Sequence, residues 1–381
     1  MMLSIIIHIL LGMEASLLKG AFVELEDNRQ TTIHKGKFPV IWGPGAPHFK
    51  GFVALQELFE QYREQILHKV SDVGAVLFRG FDIQSANEYV SVLHKLGLAE
   101  FEYIGGAAVR HLVVGSHTNK SLQVFTTNES PPHEPIPLHN ELAQNESYPE
   151  FISFYCHTEA ESGGSTPIIN CHELYNYVEK NHSDFIKDLE NKGVRYIRVV
   201  EENDNLSSPI GRGWRNIFNV ETREQAEIVM KERGYEWEWF DSITNDCKLS
   251  SKKLPAIRIA KNGEKVFCNQ MLAVFKGWID HKNSPTLCLR YGDDSEIPLS
   301  VLEDICLHAP KVMTAIPWSK GDFILIDNEL VAHSREPFEG IRKVYATLMK
   351  GKAEVKKSAN LVLNSGDLMP CVGFGTWKIE R

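Results

Sequence analysis

The sequence predicts a mainly β fold with flanking helices, arranged as a double-sheet jelly roll. Two observations lead to this prediction. Short apolar runs bounded by turn residues follow one another from about residue 101, with few helices between them. The 381 residues are 43% hydrophobic and 24% charged, which is typical of a globular protein with a sizeable core.

The first hundred residues predict helices packed on the outside of a sheet. Residues 30–50 are rich in Pro and Gly and predict a surface loop. Apolar residues at helical spacing predict a helix over 53–70, and the apolar run 75–81 predicts a buried strand. Ser85 is expected to cap a second helix that ends near Leu96.

Eight short runs rich in β-branched and aromatic residues predict the strands of the jelly roll. They are residues 122–127, 151–157, 166–170, 194–200, 256–259, 265–269, 322–327 and 342–349. Helical insertions are predicted near 172–192, 222–234 and 298–308, where capping residues open periodic segments.

Charge and cysteine usage limit the partners and the compartment. The net charge is −9, and Lys and Arg are scattered, so neither nucleic acid nor an anionic membrane is expected as a partner. The seven cysteines include no Cys-x-x-Cys pair, which argues against a disulfide framework and for a reducing, cytoplasmic location. The apolar run 2–12 is too short to span a bilayer and lacks a basic flank, so residues 1–34 are treated as an N-terminal extension.

The pair His139-Asn-Glu141 and the distant His333 form the most informative pattern in the chain. Residues i and i+2 of a strand project to the same side, so both members of the pair could reach one ion. Two imidazoles and one carboxylate leave three coordination positions open, as a non-haem Fe(II) oxygenase requires. The pattern therefore predicts a metal site.

Pairs with the same spacing also arise by chance. His157 and Glu159 lie at a predicted strand end, and His182 and Asp184 lie in a polar helical stretch where such positions diverge. His139 differs because a Pro-rich segment precedes it and holds the backbone extended.

The sequence around His333 supplies a possible anchor for a co-substrate. His333 follows a buried strand and a short connection, and Arg342 comes nine residues later on the next strand. Arg342 could clamp the far carboxylate of a dicarboxylic acid chelated to the metal, and the Thr166 hydroxyl could donate to the same carboxylate. Taken singly, Arg342 is more often a surface residue and Thr166 an ordinary strand residue. A register slip of one residue would put Lys343 in the place of Arg342.

Together these residues resemble the taurine dioxygenase/clavaminate synthase-like group of Fe(II)/2-oxoglutarate oxygenases. The motifs that carry the resemblance are His139-x-Glu141, Gly163-Gly-Ser-Thr166, Gly321-Asp322, Asp327-Asn328, His333-Ser-Arg335 and Arg342. Residues 74–81, 103–108, 127–132 and 207–214 are similar to the plant clavaminate synthase-like proteins of that group. The resemblance covers residues 35–350, about four-fifths of the chain.

The resemblance implies a double-stranded β-helix over residues 35–350 in which His139, Glu141 and His333 hold Fe(II). It implies that Thr166 and Arg342 hold 2-oxoglutarate, whose decarboxylation is coupled to oxidation of a small organic substrate by O₂. Hydroxylation is the expected outcome, with desaturation or cyclisation as alternatives. Glu141 stands where most of the family has Asp.

Substrate preference leaves fewer signals in the sequence. Ala346 stands where taurine-type members of the family have a second arginine, so sulfonate substrates are disfavoured. The glycine-flanked Arg110 and Arg212 could bind a substrate carboxylate or amide, and Asn128 could also face the pocket. For each arginine the alternative is a structural role, in which it binds backbone carbonyls and holds a loop in place.

The C-terminal residues 361–381 resemble the opening of an aldo-keto reductase. A (β/α)₈ barrel takes about 200 residues or more, so no reductase activity is expected. Residues 351–381 are therefore predicted to be a tail without a core of its own.

Two other functions compete with the oxygenase. A non-catalytic jelly-roll binding protein would keep the fold without the reaction, although the complete set of metal and co-substrate residues argues against it. A zinc hydrolase using the same ligands is ranked last, because the helix with histidines at i and i+4 of common metalloproteases is missing. The sequence predicts neither the prime substrate nor the oligomeric state.

Overall fold

The computed structural model describes residues 18, 20–106, 110–115, 121–127, 130–205, 207–240, 244–351, 361–362 and 368–369. The chain divides into two units, Met1–Lys350 and Gly351–Arg381. The first unit is mainly β with helices around the sheets, which confirms the predicted fold class at this level.

The largest sheet of the first unit has nine strands. In spatial order, eight of them are Phe22–Leu25, Val40–Pro44, Ala75–Phe78, Phe323–Asp327, Phe151–Thr158, Lys343–Lys350, Val124–Thr126 and Leu112–Val114, and Ala99–Glu100 pairs with Lys343–Lys350. The central strands Ala75–Phe78 and Phe323–Asp327 are buried at every residue. Their unbroken apolar sequences fit a strand covered on both faces.

Three N-terminal helices cover one face of this sheet: Phe52–Gln61, Arg63–Val73 and Ala86–His94. The predicted cap is confirmed, since the Ser85 hydroxyl accepts a hydrogen bond from the Glu88 N–H at 3.2 Å. The single helix predicted over 53–70 is two helices. Tyr62 has φ −110° and ψ 21°, outside the helical region, so the chain breaks there.

A separate sheet of three strands carries the residues of greatest functional interest. Its order is Ile168–Asn170, Val331–Arg335, Ile136–His139, and both pairings are antiparallel. Apolar residues of this sheet, including Ile168 and Val331, belong to the same buried cluster as residues on the inner face of the large sheet. The small sheet is therefore fastened to the core through its side chains.

The remaining elements form an inserted sheet, three two-stranded sheets and the other helices. The inserted sheet has the order Tyr235–Trp239, Cys247–Ser251, Val194–Val200, Leu289–Tyr291. The two-stranded sheets pair Thr31–Ile33 with Gly36–Phe38, Ser162–Gly163 with Phe338–Glu339, and Arg258–Ile259 with Lys265–Val266. The helices are Cys171–Asn181, Ser183–Lys192, Trp214–Phe218, Arg223–Glu232, Met271–Gly277, Pro285–Cys288 and Leu299–His308, with 3₁₀ turns at Pro47–Phe49 and Ala309–Lys311.

Strands occur at all eight predicted positions, and helices occur at the three predicted insertions. Several strands are shorter than predicted, among them Arg258–Ile259 and Lys265–Val266, which have two residues each. The pairing of Tyr235–Trp239 with Cys247–Ser251 was not predicted; polar and aromatic residues alternate in its first strand, at one side of the inserted sheet.

The surface loop predicted over residues 30–50 is wrong. Val40–Pro44 is a largely buried strand that pairs in parallel with Ala75–Phe78 and antiparallel with Phe22–Leu25. The apolar residues at the start of this strand outweigh the Pro and Gly residues that flank it. The predicted boundary between residues 34 and 35 falls in the turn of the first hairpin, so the extension predicted over residues 1–34 contributes the strand Phe22–Leu25 to the main sheet.

The chain ends lie mostly beyond what is described. Residues 1–12 are outside the described residues, and no helix in the described ranges is long and apolar enough to cross a membrane. In the second unit, Leu361–Val362 pairs antiparallel with Leu368–Met369. The six cysteines in the described ranges are free, and five of them are buried.

Truncation of the chain before residue 355 tests whether the tail contributes to the stability of the first unit. We expect the thermal unfolding midpoint to change by less than about 2 °C, because the hydrophobic clusters described lie within residues 1–350. Differential scanning calorimetry of the full-length and truncated proteins makes the comparison. A fall of roughly 10 °C would show that the tail is an integral part of the fold.

Candidate metal centre and substrate cavity

The two candidate histidine ligands face each other across a strand pair. His139 ends the strand Ile136–His139 and is the antiparallel partner of His333 in Val331–Arg335. Opposite residues of an antiparallel pair carry their side chains to the same face of the sheet. The two imidazole rings accordingly lie with their centroids 4.3 Å apart. His333 thus lies on a strand that follows the buried strand Phe323–Asp327 after a short turn, as the sequence predicts.

Glu141 reaches the same point from a turn rather than from the strand. The strand ends at His139, and Glu141 belongs to the turn that follows. The predicted alternation of side chains along one strand therefore does not explain why Glu141 lies beside His139. Leu142 has φ 57°, an uncommon value for a residue with a side chain, and marks the change of chain direction. Glu141 Oε2 lies 4.0 Å from His139 Nε2 and 3.8 Å from His333 Nε2.

The three side chains offer one ligand atom each, and these atoms lie within 4.8 Å of one another. Glu141 and His333 are each 4% exposed, and His139 is partly buried, so the ligand atoms meet largely away from bulk water. Nitrogen and carboxylate oxygen ligands in this number suit a divalent transition metal with open positions. The residues present therefore fit the predicted ion.

The protonation state of both imidazoles also fits a metal ligand. His139 Nδ1 lies 2.8 Å from the carbonyl oxygen of Pro137, so Nδ1 carries the proton and Nε2 keeps its lone pair. Burial lowers the pKa of His139 from its usual value, although Glu141 acts in the opposite direction. Burial also lowers the pKa of His333, and the neighbouring His139 and Arg110 act in the same direction. Neutral imidazoles are the form that binds a metal.

Asn328 holds Glu141 in place, although the sequence indicated it only as part of a family motif. Asn328 Oδ1 accepts a hydrogen bond from the Glu141 N–H at 2.8 Å, and Nδ2 donates to the Glu141 carbonyl at 3.0 Å. Nδ2 also donates to the carbonyl of Pro149 at 2.9 Å, and Asn328 is fully buried. A side-chain amide therefore pairs with the Glu141 backbone as a neighbouring strand would. Its location directly after a buried strand was a usable signal.

Arg110 contacts the candidate metal ligand directly. Its Nη2 donates to Glu141 Oε2 at 2.7 Å, and its guanidinium lies 4.5 Å from the centroid of the Tyr103 ring. Arg110 Nε and Nη1 are buried and have no hydrogen-bond partner in the part of the chain that the structure describes. The alternative in which Arg110 binds backbone carbonyls is not what the structure contains.

The predicted co-substrate residues Thr166 and Arg342 lie together. Arg342 Nη2 donates to Thr166 Oγ1 at 3.3 Å, and Arg342 Nε donates to the carbonyl of Gly164 at 2.7 Å. Trp318, which no sequence motif indicated, donates from Nε1 to the same hydroxyl at 3.1 Å. Burial lowers the pKa of Arg342 to about 10, and Arg335 acts in the same direction. Among the residues described, Arg342 has no acidic partner, while Lys343 is exposed.

The other candidates are placed less decisively. Arg212 donates from Nη1 to the carbonyl of Gly106 at 3.2 Å, as the loop-holding alternative predicts, and it also lies 5.2 Å from the Tyr103 ring. Asn128 lies outside the described residues. His157 packs between tyrosine rings, and His182 binds Asp304 at a junction of two helices. Neither histidine is part of the candidate metal centre.

One cavity of about 920 Å³ connects the metal ligands with the candidate anchors. The functional residues along its wall are His139, Glu141, His333, Thr166, Arg342 and Arg110. Its size is adequate for a co-substrate and a small organic molecule together. Ala346 is fully buried in the hydrophobic core, so this position offers no cationic group to the cavity.

Comparison with known proteins places the chain beside a family of dioxygenases. The family described as "Taurine catabolism dioxygenase TauD, TfdA family" matches residues 44–348. A clavaminate synthase-like protein of Arabidopsis thaliana is 39% identical over 292 residues, which are 76% of this chain and 85% of the relative. The dapdiamide synthesis protein DdaC of Enterobacter agglomerans is 28% identical over 325 residues, 80% of this chain and 92% of that protein. The crystal structure of a taurine dioxygenase from Burkholderia xenovorans superposes with a TM-score of 0.46 at 15% identity, covering 93% of this chain and 96% of the other.

The contribution of Asn328 can be measured as metal affinity. We expect Asn328→Ala to weaken Mn²⁺ binding by about 10- to 100-fold, because the backbone of Glu141 loses both of its side-chain hydrogen bonds. Isothermal titration with MnCl₂ gives the dissociation constant. Asn181→Ala removes an exposed asparagine and is the control. Equal Mn²⁺ affinity in Asn328→Ala and the wild type would refute the positioning role.

Proposed function

This chain belongs to the TauD, TfdA family of dioxygenases, and from this premise we propose which of its residues carry the reaction. The family resemblance derived from the motifs is confirmed. The protein is an Fe(II)- and 2-oxoglutarate-dependent dioxygenase that couples decarboxylation of 2-oxoglutarate to oxidation of a small organic substrate by O₂.

His139, Glu141 and His333 are proposed to hold the Fe(II). The observation that carries this proposal is the convergence of three distant ligand atoms within 4.8 Å, with both imidazoles neutral. When bound, Fe(II) supplies the redox chemistry by which O₂ oxidises 2-oxoglutarate to succinate and CO₂ and then oxidises the substrate. The hydrogen bond of His139 to Pro137 and the amide of Asn328 keep the ligand set aligned before any metal arrives.

Thr166 and Arg342 are proposed to bind the far carboxylate of 2-oxoglutarate. Arg342 supports this role because it is a partly buried cation on the cavity wall without an acidic partner in the described chain. Trp318 and Gly164 hold Thr166 and Arg342 in a fixed arrangement. A guanidinium positioned in this way can bind a carboxylate through two charge-assisted hydrogen bonds.

Arg110, Arg212 and Asn128 are proposed to lie on the substrate side, and hydroxylation is the proposed outcome. The absence of a cationic side chain at Ala346 supports a substrate other than a sulfonate of the taurine type. Arg110 stands closest to the reacting centre, since it binds Glu141 and lines the cavity. It can orient an anionic substrate while the cavity wall limits access of water.

The finer architecture and the setting of the protein are also proposals. The nine-stranded and three-stranded sheets share one hydrophobic cluster, which supports two walls of a double-stranded β-helix around the metal centre. We propose the oxygenase domain as residues 35–350 with Phe22–Leu25 added to its sheet, and residues 351–381 as a tail. The free cysteines support a reducing cytoplasmic setting, and the net charge of −9 supports the absence of nucleic-acid and membrane partners.

Release of succinate measures the proposed reaction directly. We expect the anaerobically Fe(II)-loaded protein to convert 2-oxoglutarate to succinate when O₂ is admitted, slowly without a prime substrate, and EDTA to abolish it. His333→Ala should lower the rate by about 100-fold or more, because one of three ligands is lost. His182→Ala, which changes a histidine outside the cavity, is the control. Stoichiometric Fe(II) binding without any succinate would favour the non-catalytic binding protein.

The co-substrate anchors make a separate prediction, which concerns the Michaelis constant of the co-substrate. Arg342→Gln should raise this constant by about 100-fold through loss of a charge-assisted contact. Thr166→Val should raise it by about 5-fold through loss of one neutral hydrogen bond. Lys343→Gln alters the neighbouring exposed cation and should leave the constant unchanged. Steady-state succinate assays give the three values, and a large effect from Lys343→Gln instead would mean that the register is shifted by one residue.

A further inference from the structure

Arg198 is a buried guanidinium for which the fold provides no acceptor. It is 6% exposed, its Nη1 is buried and unbonded, and no hydrogen bond or ion pair is formed by its side chain within the described chain. Its guanidinium carbon lies 5.4 Å from the centroid of the Trp278 ring. Buried charges are normally paired, so an unpaired one indicates a missing partner.

Arg198 does not stand alone. Arg110 and Arg212 approach the ring of Tyr103 at 4.5 and 5.2 Å, and the charge of Arg212 acts on both Arg198 and Arg110. Tyr103 and Trp278 both line the cavity that contains the metal ligands. We call Arg110, Arg198 and Arg212 the arginine cluster. Arg110 lines this cavity, and Arg198 and Arg212 contact its lining residues Trp278 and Tyr103.

Within the part of the chain that the structure describes, the charges of the arginine cluster are only partly balanced. Asp204 acts on Arg212, and Glu141 accepts a hydrogen bond from Arg110. The negative charge of Glu141 is needed by the metal, however. Fe(II), Glu141, 2-oxoglutarate and Arg342 carry formal charges of +2, −1, −2 and +1, which sum to zero. Two of the three positive charges in the arginine cluster then have no counter-ion.

The strand that carries Arg198 shows that this burial is not required by the fold. Val194–Val200 alternates strictly, with Val194, Tyr196, Arg198 and Val200 on the buried side. An apolar residue would satisfy this pattern, and a buried cation without a partner destabilises the folded state. A residue that breaks the pattern of its own strand without compensation is expected at functional sites.

We propose that the arginine cluster binds the prime substrate, and that this substrate is a small organic dianion. The inference rests on the proposed function, because the cavity and the metal centre define where the substrate reacts. Guanidinium nitrogens can only donate hydrogen bonds, so they bind an anion in preference to a cation or an apolar group. Unbonded nitrogens of this kind are Nε and Nη1 of Arg110 and Nη1 of Arg198. Two carboxylates, or one phosphate monoester, supply the charge that the arginine cluster lacks.

Sulfate is a dianion small enough to test the arginine cluster without assumptions about substrate shape. The protein is saturated with Mn²⁺, which replaces Fe(II) and prevents turnover. It is also saturated with 2-oxoglutarate, which occupies Arg342. Thermal midpoints are then measured in sodium sulfate and in sodium methyl sulfate, a monoanion of the same tetrahedral type, at equal ionic strength. We expect sulfate to stabilise the wild type more than methyl sulfate does, and this difference to disappear in Arg198→Met.

Arg195→Met is the matched control, because Arg195 lies on the same strand but pairs with Asp294 and Glu236 at the surface. It should keep the sulfate preference of the wild type. General salting-out by sulfate affects all variants equally and cancels in the comparison. Without added anions, Arg198→Met should melt about 2 °C higher than the wild type, since the methionine keeps the apolar stem and removes an unpaired charge.

Equal responses of the wild type and Arg198→Met to sulfate would overturn the proposal. If Arg198→Met does not fold, Arg198→Lys replaces it. We expect Arg198→Lys still to prefer sulfate, but to need about tenfold more sulfate for the same stabilisation. Lysine keeps the charge and loses the planar donors. An undiminished response in Arg198→Lys together with an undiminished response in Arg110→Lys would likewise exclude the arginine cluster as the anion site.

Competition identifies the acidic groups. Displacement of bound sulfate by glutarate rather than methyl phosphate indicates a dicarboxylate, and the reverse order indicates a phosphate ester; both support a dianion. Succinate release without substrate is measured on Fe(II)-loaded protein from the same preparations. Intact Fe(II)-dependent succinate release without the sulfate effect overturns this inference alone. The sulfate effect without any succinate release overturns the proposed function and leaves the anion site standing.

Discussion

The antiparallel pairing of Ile136–His139 with Val331–Arg335 is the interaction on which the candidate metal centre depends. Its register sets His139 opposite His333, so the hydrogen bonds of the backbone bring two imidazoles together from positions 194 residues apart in the chain. A slip of one residue would turn one imidazole to the other face of the sheet. The buried residues Ile168 and Val331 resist such a slip because they tie the small sheet to the main core.

Once the strands are in register, the remaining residues of the site are held by side-chain hydrogen bonds. Asn328 carries the Glu141 backbone, Trp318 and Gly164 fix Thr166 and Arg342, and the Pro137 carbonyl selects the tautomer of His139. These contacts satisfy the hydrogen-bonding capacity of the groups that orient the candidate ligands. Unbonded buried donors remain on Arg110, which lines the cavity, and on Arg198, which contacts the lining residue Trp278. A cavity with unpaired buried cations is preorganised for anions at the expense of stability.

The sequence predicted where the strands lie more reliably than how the site residues are brought together. The runs at 151–157 and 322–327 became central strands because their apolar residues have no other place in a globular fold. By contrast, Val40–Pro44 was missed since its flanking Pro and Gly residues dominate a local view. Glu141 was identified correctly as a group near the histidines, but for a reason that the turn at Leu142 overturns. Arg198 was missed although the alternation of its strand is visible in the sequence. The sequence does not show whether a buried cation has a counter-ion, and this is the property that distinguishes Arg198.

The sequence by itself determined the chemistry that is available: two histidines, a glutamate, a threonine and an arginine in motifs whose spacing identifies the family. Residue type and local periodicity contain this information, since they depend on neighbours along the chain. Only the tertiary structure decided which groups meet, which of several arginines are buried, and which of those lack a counter-ion. These properties follow from strand register and burial, which depend on residues far apart in the chain and therefore cannot be derived from any one segment.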